Sequence, residues 1–355
     1  MKSHYLSNLL IIIALLCSCS QAPVKDIASN TRQLVDTIGF AQYTWQMDSI
    51  VARLKRKGWK ENTVDTSRFV ICPHDDYMYV GALYPEVLQT IRAKTVILLG
   101  VAHKAASLGI EDSLVFDSFN YWKGPWGNVK VSESRQYLID NLANRYASVI
   151  DTIQKVEHSL ESMIPYLQYF NHDVEIIPIL VPAMSPDRMK QCGMALADAI
   201  RSMAEQKKWT WGRDFAIVVT TDAVHYGNED WGGSDRAVFG CDKAGNEKAM
   251  ALEHEIIENC LAGNVTEQKI RRFSDYTINA ENFREYKWTW CGRYCVPVAM
   301  YAAYSLEGNG TLNGVLEGYA TSITGEHLDV TDLGMGKTAI ATDCHWVGYA
   351  AIKYK

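Results

Sequence analysis

The chain has 355 residues, of which 48% are apolar and 21% are charged, and its formal net charge is −6. This is the composition of an ordinary globular protein, and it excludes a chain that is disordered throughout. The acidic balance argues against nucleic acid as a partner, because a nucleic-acid-binding surface needs a basic face.

The N-terminus has the layout of a secretory signal. Lys2 precedes an apolar run at residues 9–16. This run is shorter than the roughly 20 apolar residues that a transmembrane helix needs. It ends in Leu-Cys-Ser-Cys at residues 16–19, which is similar to a lipobox, the motif whose cysteine is lipidated after cleavage.

We therefore expect a lipoprotein signal peptide at residues 1–18, lipidation of Cys19, and a tether at residues 19–32. An ordinary cleaved signal or an uncleaved anchor remains an alternative. Lipidation would attach the protein to a membrane of the cell envelope. Ser20, rather than aspartate, follows the cysteine, which favours the outer membrane over retention at the inner one.

Strand and helix patterns alternate along the rest of the chain. We predict strands at 68–72, 94–99, 174–181, 215–220, 314–322 and 347–353. We predict helices at 81–91, from 157 onward, and at 187–206, 243–261, 266–273 and 297–305. This alternation predicts an α/β fold with a mostly parallel central sheet flanked by helices, which we take as one domain over residues 33–355.

Three of the predicted strands are each followed by a histidine: His74, His103 and His225. In open α/β sheets, functional residues collect just beyond the carboxyl ends of the strands. We therefore expect the three imidazoles at one edge of the sheet. The strands that carry His74 and His103 are expected to be neighbours, because one helix connects them.

Two neutral imidazoles and one anionic ligand suit iron(II), zinc or copper. Cys291 offers the anionic ligand, since Gly292 follows it where a helix is expected to begin, and a helix N-terminus lowers the pKa of a thiol. Asp222 and His225 would lie beside the open coordination position as acid, base or orienting groups. Taken singly, each histidine could be a loop or capping group, Cys291 a small buried apolar residue, and Asp222 a helix cap.

The same residues belong to motifs that follow one another from about residue 70 to the C-terminus. They are Pro-His-Asp-Asp-Tyr-Met-Tyr-Val-Gly at 73–81, Leu-Leu-Gly-Val-Ala-His at 98–103, Gly-Pro-Trp-Gly at 124–127, Glu-His-Ser-Leu-Glu at 157–161, Asp-Ala-Val-His-Tyr-Gly at 222–227, Trp-Cys-Gly-Arg at 290–293 and Val-Gly-Tyr-Ala-Ala-Ile at 347–352. In type and order they resemble the motifs of the MEMO family, also called AmmeMemoRadiSam system protein B. That family has Pro-His-Ala-Gly-Tyr-x-Tyr-x-Gly at the first position.

The resemblance implies a fold like that of class III extradiol ring-cleaving dioxygenases, in which two histidines and a carboxylate hold iron(II). In the MEMO family a cysteine takes the place of the carboxylate. This implies one mononuclear metal ion on His74, His103 and Cys291, with iron(II) favoured and copper or zinc as alternatives. Asp222 and His225 then take the catalytic positions.

The chain departs from the family pattern beside two of these ligands. Asp75 and Asp76 replace Ala-Gly, and they could strengthen cation binding, act as a base, or cap the following helix, the interpretation we favour. Cys295 lies one helical turn after Cys291 and could be a spare ligand or its disulfide partner. His158, next to Glu157, could cap a helix or support the metal site.

Two functions are consistent with the predicted ligands and the family resemblance. The first is a dioxygenase-like iron or copper oxidoreductase that acts on a small molecule or peptide, with His225 moving a proton. The ligand would lie in an aromatic cleft near Trp122, Trp126, Trp231, Trp288 and Trp290. The second is a non-catalytic binding or scaffold protein with a vestigial metal site. The His-Asp-Asp run also resembles zinc-dependent PIG-L-type deacetylases, but the proline inside that motif and the glutamate after it are missing.

Overall fold

The computed structural model describes residues 30–142, 145–227, 236–308 and 311–355. The predicted signal peptide, the lipidation site Cys19 and most of the predicted tether lie outside the described residues, and so does Trp231. Within these ranges, no helix combines the length and the apolar character that crossing a bilayer requires.

Strands and helices alternate along the chain, as the apolar periodicity predicts. The strands are β1 (Thr31–Arg32), β2 (Phe69–Cys72), β3 (Thr95–Val101), β4 (Leu114–Phe116), β5 (Tyr121–Gly124), β6 (Gly127–Val131), β7 (Ala147–Val149), β8 (Glu175–Val181), β9 (Phe215–Thr220), β10 (His225–Gly227), β11 (Gly263–Asn264), β12 (Asn313–Thr321) and β13 (His345–Tyr354). The helices are α1 (Thr44–Arg56), α2 (Tyr77–Val80), α3 (Tyr84–Leu88), α4 (Ser134–Asn141), α5 (Asp151–Gln154), α6 (Ile164–Phe170), α7 (Pro186–Lys207), α8 (Lys243–Ile256), α9 (Glu267–Thr277) and α10 (Cys295–Glu307).

The sheet is parallel in its centre and antiparallel towards its edges. Its strands hydrogen-bond in the order β1-β5-β6-β8-β3-β9-β2-β13-β12-β11. Strands β6, β8, β3, β9 and β2 run in one direction. Antiparallel partners, β5 on one side and β13 and β12 on the other, extend this centre. The predicted α/β fold with a mostly parallel central sheet is therefore confirmed.

Helices cover both faces of the central strands. Phe215, Ile217 and Val219 of β9 pack into an apolar core that includes residues of α7, α9 and α10. The alternate residues Ala216 and Val218 pack into a second core, which includes residues of α1, α3 and α6. Since both faces are covered, every residue of β9 is buried, and this explains why its sequence is a continuous apolar run.

Strands β2 and β3 are not neighbours, so that prediction is wrong. Strand β9 lies between them, with Val218 paired to Val70 of β2 and Ala216 paired to Val96 of β3. The chain passes from β3 to β8 and returns through α7 before β9 enters the sheet. A connection of one helix sets the direction of the next strand, but it leaves room for a later strand to be inserted.

Two predicted helices near His74 and His103 differ from the observed ones. The helix predicted at 81–91 is observed only as the short α3, with Pro85 in its first turn, while α2 lies before the predicted start. The helix expected to start at Glu157 starts only at Ile164, after a 3₁₀ turn at Glu161–Met163. The Glu157 carboxylate accepts hydrogen bonds from the backbone of His103 and Ser159, so it ties two loops together and does not lie inside a helix.

A disulfide joins Cys241, just before α8, to Cys344, just before β13, with Cα atoms 4.7 Å apart. Among the described residues, the cysteines that remain free are Cys72, Cys192, Cys260, Cys291 and Cys295. Cys291 and Cys295 therefore do not pair with each other, and that alternative for Cys295 is wrong.

Replacing both Cys241 and Cys344 with serine should destabilise the fold, because the bond joins residues separated by 103 positions and restricts the unfolded chain. We expect the free energy of unfolding, measured in urea, to fall by about 2–4 kcal/mol. Reduction of the native protein should have the same effect, and reduction of the double variant should have none. Equal stability of the oxidised native protein and the double variant would contradict the assignment.

Candidate metal centre

The loops that follow β2 and β3 meet the loop before α10 at one edge of the sheet. They carry His74, His103 and Cys291, whose potential ligand atoms all lie within 4.8 Å of one another. Nε2 of His74 is 3.5 Å from Sγ of Cys291, and the two imidazole rings have centroids 5.2 Å apart. The structure thus brings the three predicted ligands together.

The end of β9 orients the His74 ring. Nδ1 of His74 lies 2.8 Å from Oγ1 of Thr220, and this hydroxyl donates its proton to the carbonyl of Ser159 at 3.1 Å. The Thr220 hydroxyl must therefore accept from Nδ1–H, which leaves the lone pair of His74 on Nε2, facing Cys291. Burial, together with the charges of the neighbouring histidines, lowers the pKa of His74 and keeps the ring neutral.

A buried carboxylate orients the His103 ring. Glu157 is 2% exposed, and its Oε1 lies 2.8 Å from Nδ1 of His103, while its Oε2 accepts from the backbone N–H of His103 at 2.6 Å. Burial raises the pKa of Glu157, but the hydrogen bond from His103 and the charges of His103 and His158 outweigh it and lower this pKa to about 2. The ionised carboxylate holds Nδ1–H and leaves Nε2 of His103 available as a ligand.

His158 supports the same histidine and does not cap a helix. Its ring stacks on that of His103 with centroids 5.0 Å apart, and it lies 6.1 Å from the ring of His74. Of the two alternatives that the sequence left open for this residue, the structure selects the contact with the site.

Cys291 is held by the loop after β9. Its side chain is buried, and its Sγ accepts a hydrogen bond from the backbone N–H of Asp222 at 3.2 Å. Gly292 permits this approach, because a Cβ at that position would lie 2.2 Å from Oγ1 of Thr221. Helix α10 begins only at Cys295, so no helix N-terminus acts on Cys291. Burial and the charge of Asp222 raise the pKa of the Cys291 thiol, and the expectation of a lowered pKa is wrong.

Cys295 lies away from the other ligands. Its Sγ donates to the carbonyl of Thr220 at 3.4 Å, inside the contact between α10 and the sheet. It belongs to none of the potential ligand groups found among the described residues. The structure therefore gives no support to its role as a spare ligand.

Asp222 and His225 lie beside the triad, as predicted. Oδ1 of Asp222 accepts from the backbone N–H of His74 at 2.9 Å, and Oδ2 lies 3.4 Å from Nε2 of His74 and 4.0 Å from Nε2 of His225. Burial, and then the charges of Asp75 and Asp76, raise the pKa of Asp222 well above its ordinary value. Burial and the charges of His103 and His158 lower the pKa of His225 to about 4. The pair can therefore hold a proton on the carboxyl group beside a neutral imidazole.

Asp75 and Asp76 do not cap α2, so the capping interpretation is wrong. Asp76 occupies the N-cap position, but its side chain makes no capping hydrogen bond and accepts instead from the hydroxyl of Thr338 at 3.0 Å. Asp75 accepts from the hydroxyl of Tyr349. Burial and the charge of Asp75 raise the pKa of Asp76 to about 7.

Two cavities meet at His103. The first, which we call the acidic cavity, has a volume of about 220 Å³, and its lining includes His74, His103, His158, His225, Asp36, Asp75, Asp76 and Asp222. The second, which we call the arginine cavity, has a volume of about 490 Å³, and its lining includes His103, Cys291, Arg284, Arg293, Tyr286 and Tyr294. The ligand triad therefore lies between the two spaces.

The described tryptophans near the motifs, Trp122, Trp126, Trp288 and Trp290, line neither cavity. Trp122 is buried and donates its indole N–H to Asp117. Trp288 and Trp290 both donate to the buried carboxylate of Glu253 in α8. The aromatic rings that do line the cavities belong to phenylalanine and tyrosine residues.

Glu253 is a positioning residue that the sequence did not reveal. Besides the two indoles on either side of Thr289, its carboxylate accepts from the backbone N–H of Val224 at 2.9 Å. It thereby joins the loop that precedes His225 to the loop that carries Cys291. Thr220 was also missed, because it acts through contacts with His74 and Ser159, which are distant from it in sequence.

Glu157→Gln should weaken metal binding, since an amide cannot accept from both the ring and the backbone of His103. We expect the dissociation constant for zinc, measured by competition with a chromophoric chelator, to rise about 10–100-fold. Glu133→Gln is the matched control, because that side chain is 87% exposed and lies outside both cavities. Equal affinities of Glu157→Gln and the native protein would show that Glu157 does not position the ligand.

Comparison with known proteins identifies the same family that the motifs resemble. A family model described as "Memo-like protein" matches residues 41–339. A MEMO1 family protein of Methanothermobacter thermautotrophicus is 30% identical over 169 residues, which cover 45% of this chain and 55% of the relative. One of Methanosarcina mazei is 30% identical over 158 residues, covering 44% and 53%.

A third relative, a MEMO1 family protein of Thermococcus kodakarensis, is 25% identical over 232 residues, which cover 62% of this chain and 70% of the relative. The chain spans about half the length of the first two relatives. The fold is consistent with the dioxygenase-like architecture that the motifs imply. Because the family model covers most of its length, this chain belongs to the Memo-like protein family.

Proposed function

We propose that this protein holds one transition-metal ion on His74, His103 and Cys291 and uses it in a dioxygenase-like oxidation of a small molecule. Iron(II) is the favoured metal, with copper or zinc as alternatives. The observation that carries the proposal is the convergence of three ligand atoms within 4.8 Å, with both imidazoles oriented by separate hydrogen bonds.

The donor set fits a single metal ion. Metal–nitrogen and metal–sulfur bonds of about 2.1 and 2.3 Å place two ligands of one ion roughly 3.6 Å apart at a tetrahedral angle. Nε2 of His74 and Sγ of Cys291 are 3.5 Å apart. Two imidazoles and one sulfur suit iron, copper and zinc, and a bound redox metal would supply one-electron and Lewis-acid chemistry.

The residues around the triad are suited to proton transfer. His225 is neutral at neutral pH, because its pKa is lowered to about 4, so it can accept a proton from a substrate. Asp222 Oδ2 lies 4.0 Å from Nε2 of His225, within reach of a small movement. We propose that His225 takes up the proton and that Asp222 orients both His74 and His225.

The cavity volumes favour a small molecule or a short peptide end as the ligand, since small-molecule sites commonly measure about 300–1,000 Å³. The arginine cavity alone has about 490 Å³. We further propose that the protein is lipid-anchored through Cys19 in the cell envelope, at the outer membrane. The disulfide between Cys241 and Cys344 supports an oxidising compartment.

Metal analysis of protein purified without oxygen tests the ligand set. We expect about one metal ion per native chain, and for Cys291→Ala a loss of affinity beyond the roughly 10–100-fold that is typical of changes outside the ligand set. Cys295→Ala is the matched control, because this thiol is also free and buried but bonds to a backbone carbonyl. Stoichiometric metal in Cys291→Ala would remove this residue from the ligand set.

Oxygen uptake tests the catalytic part of the proposal, with catechol as the probe. We expect uptake by iron- or copper-loaded protein, none by zinc-loaded protein, and a rate at least about 100-fold lower in His225→Ala. His172→Ala is the control, because His172 is exposed and lines neither cavity beside the triad. Absence of uptake by every metal-loaded form would contradict an enzyme of this class and favour the non-catalytic binding protein.

A further inference from the structure

The arginine cavity contains a buried positive charge that the proposed chemistry does not use. Arg293 follows the ligand Cys291 by two residues and is only 6% exposed. Its guanidinium carbon lies 3.2 Å from the ring centroid of Tyr286 and 4.5 Å from that of Tyr294. The two rings therefore hold the guanidinium beside the cavity wall.

The guanidinium is only partly satisfied. Its Nη2 donates to the carbonyl of Arg284 at 2.9 Å, while its buried Nε makes no hydrogen bond in the described part of the chain. No carboxylate among the described residues forms an ion pair with Arg293. Arginine stays charged in proteins, and a buried charge without a counter-ion is costly. An anionic partner would offset this cost.

The second arginine of the cavity is already neutralised. Arg284 forms an ion pair with Glu111 at 2.6 Å, and both side chains are exposed. Arg293 is thus the cation in this cavity that has no acidic partner within the described residues. Its planar fork of donors matches the oxygens of a carboxylate or a phosphate.

The acidic cavity offers an oxyanion no comparable partner. Its lining includes the carboxyl groups of Asp36, Asp75 and Asp76, and it contains no arginine or lysine among the described residues. A ligand that carries an oxyanion therefore finds its cationic partner on the arginine side, where apolar side chains such as Val101, Ile110 and Val181 also line the cavity.

We propose that Arg293 binds an oxyanion, a carboxylate or phosphate group, of the ligand, and that the ligand extends from Arg293 towards His103 and Cys291. Only the direction in which the ligand extends, towards His103 and Cys291, rests on the proposed function. Anion binding at Arg293 depends on the guanidinium, the two tyrosine rings and the apolar wall, and it requires no metal.

Calorimetric titration of the full chain with benzoate and with inorganic phosphate tests the proposal, in metal-free and zinc-loaded protein. We expect native protein to bind at least one of the two probes, and the affinity to fall about 10–100-fold in Arg293→Gln, since hydrogen bonds to a charged group are lost. Tighter binding of benzoate identifies a carboxylate ligand, and tighter binding of phosphate identifies a phosphorylated one.

Two further variants make the result decisive. Arg284→Gln should leave the affinity within about twofold, because Arg284 is already paired, whereas Arg293→Lys keeps the charge and should bind more weakly than native protein but more tightly than Arg293→Gln. Thermal unfolding and zinc stoichiometry of each variant verify that the fold and the triad persist. If Arg293→Lys and Arg293→Gln are folded and bind both probes as native protein does, or if native protein binds neither probe, the proposal is overturned.

The outcome separates this inference from the proposed function. Cys291→Ala should lose metal but retain anion binding, and Arg293→Gln should show the reverse. Native protein that binds an anion but no metal would refute the metal site and leave the anion site standing.

Discussion

The site depends on one constraint, the parallel alignment of β2, β9 and β3 with β9 in the middle. This order places the end of β9 between the loops that carry His74 and His103. Thr220 can then orient the ring of His74, and the next two residues contact the loop of Cys291. Without β9 in this place, the His74 ring would lack the hydrogen bond that directs its lone pair towards Cys291.

Buried carboxylates extend the hydrogen-bond network outward from the three ligand residues. Glu157 holds His103 through two hydrogen bonds, and Glu253 joins the tryptophans near Cys291 to the strand-end loop before His225. Each of these carboxylates accepts more than one hydrogen bond, which is what allows a buried polar group to be tolerated. The ligand atoms are therefore positioned before any ion or substrate binds.

The surroundings of the triad are electrically asymmetric. Carboxyl groups surround the cavity on the side of Asp75 and Asp76, and an arginine that lacks an acidic partner among the described residues lies on the side of Cys291. In our proposal, this arrangement gives a bound molecule a preferred orientation, because the arginine side offers its anionic end a cationic partner. The proposed metal ligands and the proposed anion-binding residue are thus different side chains.

The amino-acid pattern alone predicts the α/β class and the histidines that follow the strands, because strands buried on both faces require continuous apolar runs and functional residues follow such strands. The order and spacing of its motifs also identified His74, His103 and Cys291 as one set. Three-dimensional contacts were needed to establish that β9 separates β2 from β3, that Cys241 pairs with Cys344, and that Glu253 joins the two loops beside the site. These features depend on contacts between segments far apart in the chain, and local periodicity carries no information about which distant segments will meet.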